Sequence, residues 1–534
     1  MTEIWEKLKN LFAREWARWL LGYPLVVLFG VGIVYYWRVV YKLTAFTPLV
    51  TTLIVTGLFS VLYLLVFLTA HFLRQFFPLK AAALIFIAGL LFVFINPPLQ
   101  APDETMHFLR AYSLGSGHFY YDQNEQYPDD VNLLVHEFPG FYNKYMPLTK
   151  DDQGNVTVSA ADGFMRYYQG KLSGAKAVNA TTPVQQTLPY LPQAAGIFLG
   201  RLLGGGALVC LYLGRIGNLL CYAALCGLAL WSARRFRSIL CALMLMPIGL
   251  YLAASTSGDG LLLGLSWLFV GLCLAERMDW RHFSALSVCF GVLITAKYTY
   301  FSLLPLLLLL PWDKENKDHK KWFWLLPGSL LLAGVFFFLL QTAHNAFFSN
   351  YGAIAYFTDS IRPAEQLRFI LQKPSRYLAV FLYSVYINSA NLFSGGVFGW
   401  MDTVLPTVSY FSPLVLLLSA AFAAREGAFA DKRTGIAMFL TGALTYGGVY
   451  TGMYLTSTPY QTIPITGIQT RYFLVAFFAG LVLAAMLIGK TMALQKLREE
   501  IPQKTPPEWR MLHIAFLFAA ASALLLFQTY YIGA

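Results

Sequence analysis

Two adjacent carboxylates, Asp103 and Glu104, stand in Asn96-Pro-Pro-Leu-Gln-Ala-Pro102-Asp103-Glu104-Thr-Met-His107-Phe-Leu-Arg110-Ala-Tyr112. Proline suits the first position of a helix, where its missing N–H would lack a partner anyway. That placement puts Asp103 and Glu104 in the first turn, where the helix dipole favours their ionised forms. Asp103, His107 and Arg110 then share one face at i, i+4 and i+7. Such a pair can divide the work of base catalysis, one carboxylate taking a proton while the other orients it or holds a cation. Helix capping alone accounts for the same two residues without chemistry.

Four more polar clusters lie at the ends of apolar runs. Ser255-Thr-Ser257-Gly-Asp259-Gly has the side chains of a hydrogen-bonded turn and one carboxylate. Lys297, in Thr-Ala-Lys297-Tyr-Thr-Tyr300, is either a snorkelling anchor or a phosphate contact. Gly395-Gly-Val-Phe-Gly399-Trp400-Met-Asp402 joins an indole to a carboxylate. Gly467-Ile-Gln469-Thr-Arg471-Tyr472 offers a guanidinium that suits two-point phosphate binding, or simply anchors a helix end. Arg215 differs from these, because it falls inside an apolar run. An arginine at membrane depth needs a partner or a wet cavity, and Asp259 and Glu104 are the candidates.

The chain that must position these groups has 534 residues, 57% apolar and 16% aromatic, with only 12% charged. A soluble domain carries about 25% charged residues, so a soluble fold is excluded. Apolar runs of roughly membrane-spanning length recur near 22–37, 47–70, 80–97, 206–230, 238–256, 260–275, 322–341, 409–424, 434–455, 471–489 and 511–531. Two shorter runs, 283–296 and 300–311, suit a helical hairpin. The expected fold class is therefore an all-α polytopic membrane protein with about 11–13 transmembrane helices. Residues 1–21 form an amphipathic cytoplasmic segment, which holds Glu3, Glu6 and Glu15 and so differs from a cleavable signal. Residues 22–534 form one transmembrane domain.

The net charge of +12 comes without a basic face interleaved with aromatics, so no nucleic-acid partner is expected. Basic clusters in short loops, such as Arg234, Arg235 and Arg237, orient the chain by the positive-inside rule. Loops 98–205 and 342–408 then fall outside, with 377–394 interfacial or re-entrant. The stretch 188–206, rich in proline and glycine, reads as a short surface helix. The six cysteines lie in or beside apolar runs without metal-like spacing, as packing residues do. The sequons at Asn155 and Asn179 fall on the outer side. No internal repeat supports an inverted-repeat transporter. All five polar clusters fall on one face, as an active site at the membrane boundary requires.

Taken in order, Pro102-Asp103-Glu104-x-x-His107-Phe108-x-Arg110-Ala111, Tyr190-Leu-Pro192-Gln-Ala-x-Gly196, Gly214-Arg215-x-x-Asn218, Ser257-x-Asp259, Lys297-x-x-Tyr300, Gly399-Trp400-x-Asp402 and Gly467-Ile-Gln469-x-Arg471-Tyr472-Phe473 form a pattern. It resembles the bacterial membrane family called domain of unknown function 2142, itself similar to the GT-C glycosyltransferases. The resemblance runs from about residue 80 to 490. It departs at Thr470, where the family's Gln-Gly-Arg-Tyr signature has glycine.

The resemblance implies a GT-C-like fold in the bacterial cytoplasmic membrane, with its site facing the extracytoplasmic side. It implies an inverting enzyme that moves sugar from a polyprenyl-phosphate donor to a cell-envelope glycan or lipid-linked acceptor. Asp103 would be the general base and Glu104 its neighbour. Lys297, Gln469, Arg471, Tyr472 and Arg215 would hold donor and phosphate, with His107, Arg110, Asp259, Trp400 and Asp402 in support. No cofactor is assigned, although Asp103, Glu104 and Asp259 have the oxygen ligands that Mg²⁺ or Mn²⁺ takes. The competing expectations are a lipid-linked sugar flippase and a non-catalytic subunit of an envelope-polysaccharide assembly.

Overall fold

The computed structural model describes residues 15–137, 148–150, 156–158, 176–178, 187–311, 334–335, 360–491 and 506–532, without 41, 43–46, 74, 120, 121, 123, 277, 401 and 427–430. The chain is an all-α polytopic membrane protein. In order come α1 (Glu15–Val40), α2 (Pro48–Phe72), α3 (Phe77–Ile95), α4 (Glu104–Gly115), α5 (Asp129–Glu137), α6 (Leu191–Leu202) and α7 (Ala207–Ser232). Next are α8 (Arg237–Met244), α9 (Pro247–Ala253), α10 (Asp259–Cys273), α11 (Trp280–Ala296) and the 3₁₀ helix Tyr298–Leu309. After them come α12 (Pro363–Gln372), α13 (Pro374–Ser394), α14 (Pro406–Arg425), α15 (Lys432–Thr456), the 3₁₀ turn Thr470–Phe473, α16 (Leu474–Gly489) and α17 (Pro507–Phe527). The described strands form three two-stranded antiparallel ribbons: Gln126–Pro128 with Lys176–Val178, Leu148–Lys150 with Val156–Val158, and Val397–Phe398 with Thr403–Val404.

Seven described helices are long and apolar enough to cross a membrane. Shorter apolar helices are Asp259–Cys273, Trp280–Ala296 and Tyr298–Leu309, and α15 is long but more polar. These elements account for the apolar runs of the sequence, with two exceptions. The run 322–341 lies outside the described residues except for 334–335, and residues 1–14, Asn155, Asn179 and 342–359 lie outside them altogether. The run 238–256 is not one span but two short buried helices, α8 and α9. Pro247 opens α9 and cannot continue α8, because it lacks an N–H and forces Met246 into an extended conformation. The N-terminal boundary also moves: α1 is continuous from Glu15, and its apolar part begins at Trp19 rather than residue 22.

α1 and α2 pair as a hairpin, with the Tyr63 hydroxyl donating to Trp19 O at 2.6 Å and Arg38 Nη2 to Thr51 Oγ1 at 3.0 Å. Their outer faces expose Leu25, Leu28, Leu53 and Leu58, as lipid-facing helices do. The main core gathers residues of α3, α7 to α11, α14 to α17 and the 298–309 helix, with Val380 of α13. A second core holds Phe108, Leu109, Tyr127, Leu134, Ile197 and Leu208, so α4, α5 and α6 pack as a cap on α7. α6 has 12 residues, about 18 Å, too short to cross a bilayer. It lies close against α7 through glycines: a Cβ on Gly196 would stand 2.0 Å from Leu213 O, and one on Gly217 2.4 Å from Pro192 O.

α13 is continuous rather than re-entrant. It packs on α15, with the Tyr377 hydroxyl sharing a 2.8 Å hydrogen bond with Thr451 Oγ1 and the Phe381 ring 5.5 Å from the Tyr450 ring, while Ser384 Oγ accepts from Ile465 N at 3.0 Å. Phe398, just beyond it, meets the Tyr251 ring at 5.3 Å.

Candidate functional site

Glu104 and Arg215 form the buried centre of the capped face, both with fully buried side chains. Arg215 Nε donates to Glu104 Oε1 at 2.8 Å and Nη2 to Oε2 at 2.7 Å. Its remaining N–H groups go to Val93 O at 3.2 Å, Asn96 O at 2.7 Å and Pro97 O at 2.9 Å. A guanidinium has five N–H donors, and all five are used. The phosphate role expected for Arg215 is therefore corrected: it holds the end of α3 and the Glu104 carboxylate. Glu104 is equally committed, since Oε2 also accepts from Ala101 N at 3.2 Å and Oε1 from Thr256 N at 3.0 Å. This second carboxylate fixes the backbone of two turns and is removed from reactants.

Asp103 behaves differently from its neighbour. The helix begins at Glu104, not at Pro102, and Asp103 is the residue before it, with φ 57° and ψ 17°. An N-cap is usually extended, with its side chain bonded to a helix N–H. Asp103 is left-handed, and its carboxylate makes no capping bond and no hydrogen bond or ion pair among the described residues. Helix capping therefore does not account for it. A non-glycine residue in this conformation carries about 1–2 kcal/mol of strain, held by the surrounding structure. The bonds of Glu104 on one side and the helix bond of Asp103 O to His107 N at 3.1 Å on the other supply that hold.

Half-buried Asp103 has its carboxyl pushed above the ordinary range by loss of solvent, an effect that Arg471 and Lys297 oppose and Asp259 reinforces. Asp259, at the start of α10, takes Lys297 Nζ on Oδ1 at 2.5 Å and pairs through Oδ2 with Arg471 Nε at 3.1 Å. Both cations also stand 5.3 Å from the centre of the Tyr472 ring, where the π-face attracts positive charge. The Asp259 turn is held from below, because Gln193 and Asn218 both donate to Ser257 O, at 2.9 and 3.0 Å. Gly260 is required there, as any Cβ would lie 2.5 Å from the Asn218 side chain.

His107 faces the same charges. Burial lowers it to about 3, so the ring is neutral near pH 7, and its Nδ1 shares a 2.7 Å hydrogen bond with the Tyr190 hydroxyl. Tyr190 stands in the sequence pattern but was given no role there. Its signal is the pairing itself, across 83 residues.

Other expected members lie apart. Arg110 turns away from Asp103 and is buried in the cap, donating through Nη2 to Phe119 O at 3.1 Å and Thr187 Oγ1 at 2.7 Å. Asp402 closes its own hairpin, accepting from Trp400 N at 3.1 Å and Thr403 Oγ1 at 3.2 Å. That hairpin reaches the site indirectly, through Phe398 on Tyr251, whose hydroxyl donates to Gln100 O at 3.1 Å, and through Tyr530, which links Thr403 to Tyr251. Gln469 contributes its carbonyl, which accepts from Tyr472 N at 3.2 Å and starts the turn carrying Arg471. Thr470 is accommodated at the first position of that turn. The set Asp103, Glu104 and Asp259 does not form a metal cage, since two of its carboxylates are taken by cations and amides; no metal-binding group occurs among the described residues.

What converges, then, is an unbonded carboxylate, a carboxylate shared by two cations, an aromatic face and a neutral imidazole, from four separate segments. Such a site can accept a proton and bind an anion side by side. No curated protein and no solved structure matches the chain. A family model described as a predicted membrane protein, DUF2142, matches residues 86–479, a stretch that holds all of these groups. The chain belongs to this predicted membrane protein family.

Proposed function

We propose that the chain is a membrane glycosyltransferase that moves a sugar from a polyprenyl-phosphate donor to a glycan or lipid-linked acceptor at the capped face. The carrying observation is Asp103, a carboxylate held in a strained conformation without a bonding partner, beside Lys297 and Arg471. In the proposed step Asp103 accepts the proton of the acceptor hydroxyl as that oxygen bonds to the anomeric carbon. The bond from that carbon to the phosphate oxygen breaks, and the phosphate leaves with the electron pair. Lys297 and Arg471 offset the charge that develops there. A single displacement of this kind inverts the anomeric centre. The donor's tail remains in the bilayer beside the apolar helices, so recognition concentrates on phosphate and sugar.

Glu104 and Arg215 act in this reading as positioning residues, and His107 with Tyr190 as a neutral wall of the site. By the positive-inside rule, the face lies on the extracytoplasmic side of the bacterial cytoplasmic membrane. The test is incubation of the purified chain, reconstituted in lipid, with radiolabelled polyprenyl-phosphate sugars and candidate acceptors. Label appearing in an acceptor, with loss of donor, is the expected result. Donor crossing the bilayer unchanged, with no acceptor labelled, would replace this reading with a flippase.

A further inference from the structure

A second polar feature lies at the other end of the helices that carry Arg471. α16 runs from the Arg471 turn to Lys490, and α15 runs back from Lys432 to the same face as Arg471. Between their far ends is an open groove of about 570 Å³, lined by Asp431, Lys432, Ile436, Phe439, Leu440 and Lys490. Lys432, Ile436, Phe439 and Leu440 follow one another at i, i+4, i+7 and i+8, a single stripe running down α15 from its charged end. Phe439 is 65% exposed and Ile436 44%, so the stripe opens outward, to where lipid would lie.

Both lysines are exposed, and no ion pair commits either one among the described residues. The one acid at the rim is already used: Asp431 Oδ1 accepts from Thr434 N at 2.7 Å, and Arg235 and Arg433 lie near its charge. The groove is thus cationic at its polar end and apolar along its length. That is the pattern of a phospholipid with a negatively charged headgroup, not of a soluble anion, which has no use for the stripe.

We infer that this groove binds an anionic phospholipid, its phosphate between Lys432 and Lys490 and an acyl chain along Ile436, Phe439 and Leu440. The site is separate from the Asp103 cluster and does not rest on the proposed transfer. Native mass spectrometry of the full chain, released from micelles containing either phosphatidylglycerol or phosphatidylcholine, tests it. The expected result is retention of phosphatidylglycerol over phosphatidylcholine. K432Q/K490Q should then bind phosphatidylglycerol about twenty-five-fold more weakly, about five-fold for each lysine. K432R/K490R and R234Q should bind as the native chain does, the latter removing a charge outside the groove. Equal retention of the two lipids by the native chain, or unchanged phosphatidylglycerol binding by K432Q/K490Q, would overturn the inference.

Discussion

Glu104 and Arg215, 111 residues apart in the sequence, meet as a two-point ion pair with no exposure to solvent. The pair joins three segments: the end of α3 through the carbonyls of Val93, Asn96 and Pro97, the turn before α4 through Ala101 N, and the 255–257 turn through Thr256 N. Those segments carry the Asp103 and Asp259 backbones. A buried pair of this kind adds little net stability against an apolar substitute, but breaking it leaves an uncompensated charge.

Glu104→Gln or Arg215→Met should therefore each destabilise the protein by about 3–5 kcal/mol. The double variant should lose less than the sum, because the partners' costs are shared. Thermal unfolding in detergent checks this. Additive losses would show that the two residues act independently.

The backbone of Asp103 gives a second stability test. Glycine adopts a left-handed conformation without penalty and alanine does not. Asp103→Gly should match or exceed the native unfolding temperature, while Asp103→Ala should lose about 1 kcal/mol relative to Asp103→Gly. An alanine variant as stable as the glycine variant would mean that the residue is not strained.

Burial raises the Asp103 carboxyl, so its charged form appears at higher pH than for an ordinary aspartate. Activity that needs this base should fall as pH drops through that raised value, with an acid limb above the usual carboxylate range. The linkage to stability has the opposite sign: the folded state holds the proton more tightly, so this contribution is full at low pH and is lost as pH rises through the folded value. His107 is neutral down to about 3 and should add no limb near 6.5. Asp103→Asn should abolish the acid limb of any residual rate, whereas a limb that persists would point to another group.

Asp259 sits between two cations, so removing any one of the three should disturb the anion site. Lys297→Met should slow transfer by about a hundred- to a thousand-fold, the range for removing one donor from a developing anion. Asp259→Asn should also impair transfer, by releasing Lys297 and Arg471 from their common anchor. Arg471→Lys should not restore the native rate, since an ammonium lacks the guanidinium's planar fork. Steady-state transfer rates at saturating donor read all three, and a fully active Lys297→Met variant would remove Lys297 from the account.

The sequence discloses this architecture unevenly. Apolar runs identify the membrane body because span length is a property of consecutive residues. The break at Pro247 is hidden within an unbroken apolar run, where composition stays constant while one missing N–H divides the helix. Asp103 is drawn toward a first-turn position by Pro102, yet its left-handed backbone is set by the contacts of Glu104 with a turn more than 150 residues away. The partner of Arg215 could not be chosen for the same reason, as Asp259 and Glu104 have equal charge and only packing separates them. Arg110 shares the helical spacing of Asp103 and His107, but its long side chain follows the cap's carbonyls instead. Trp400 and Asp402 have the composition of a site loop, and geometry makes the carboxylate a local turn closure.

The measurement that bears most directly on the central claim is the single-turnover rate of sugar transfer by the reconstituted Asp103→Asn chain. Asparagine keeps the size of the side chain and tolerates the left-handed backbone, so the fold should be retained, as its unfolding temperature will show. The account predicts a transfer rate lower by about a hundred- to ten-thousand-fold, with donor binding little changed. A native rate from the folded Asp103→Asn protein would contradict it.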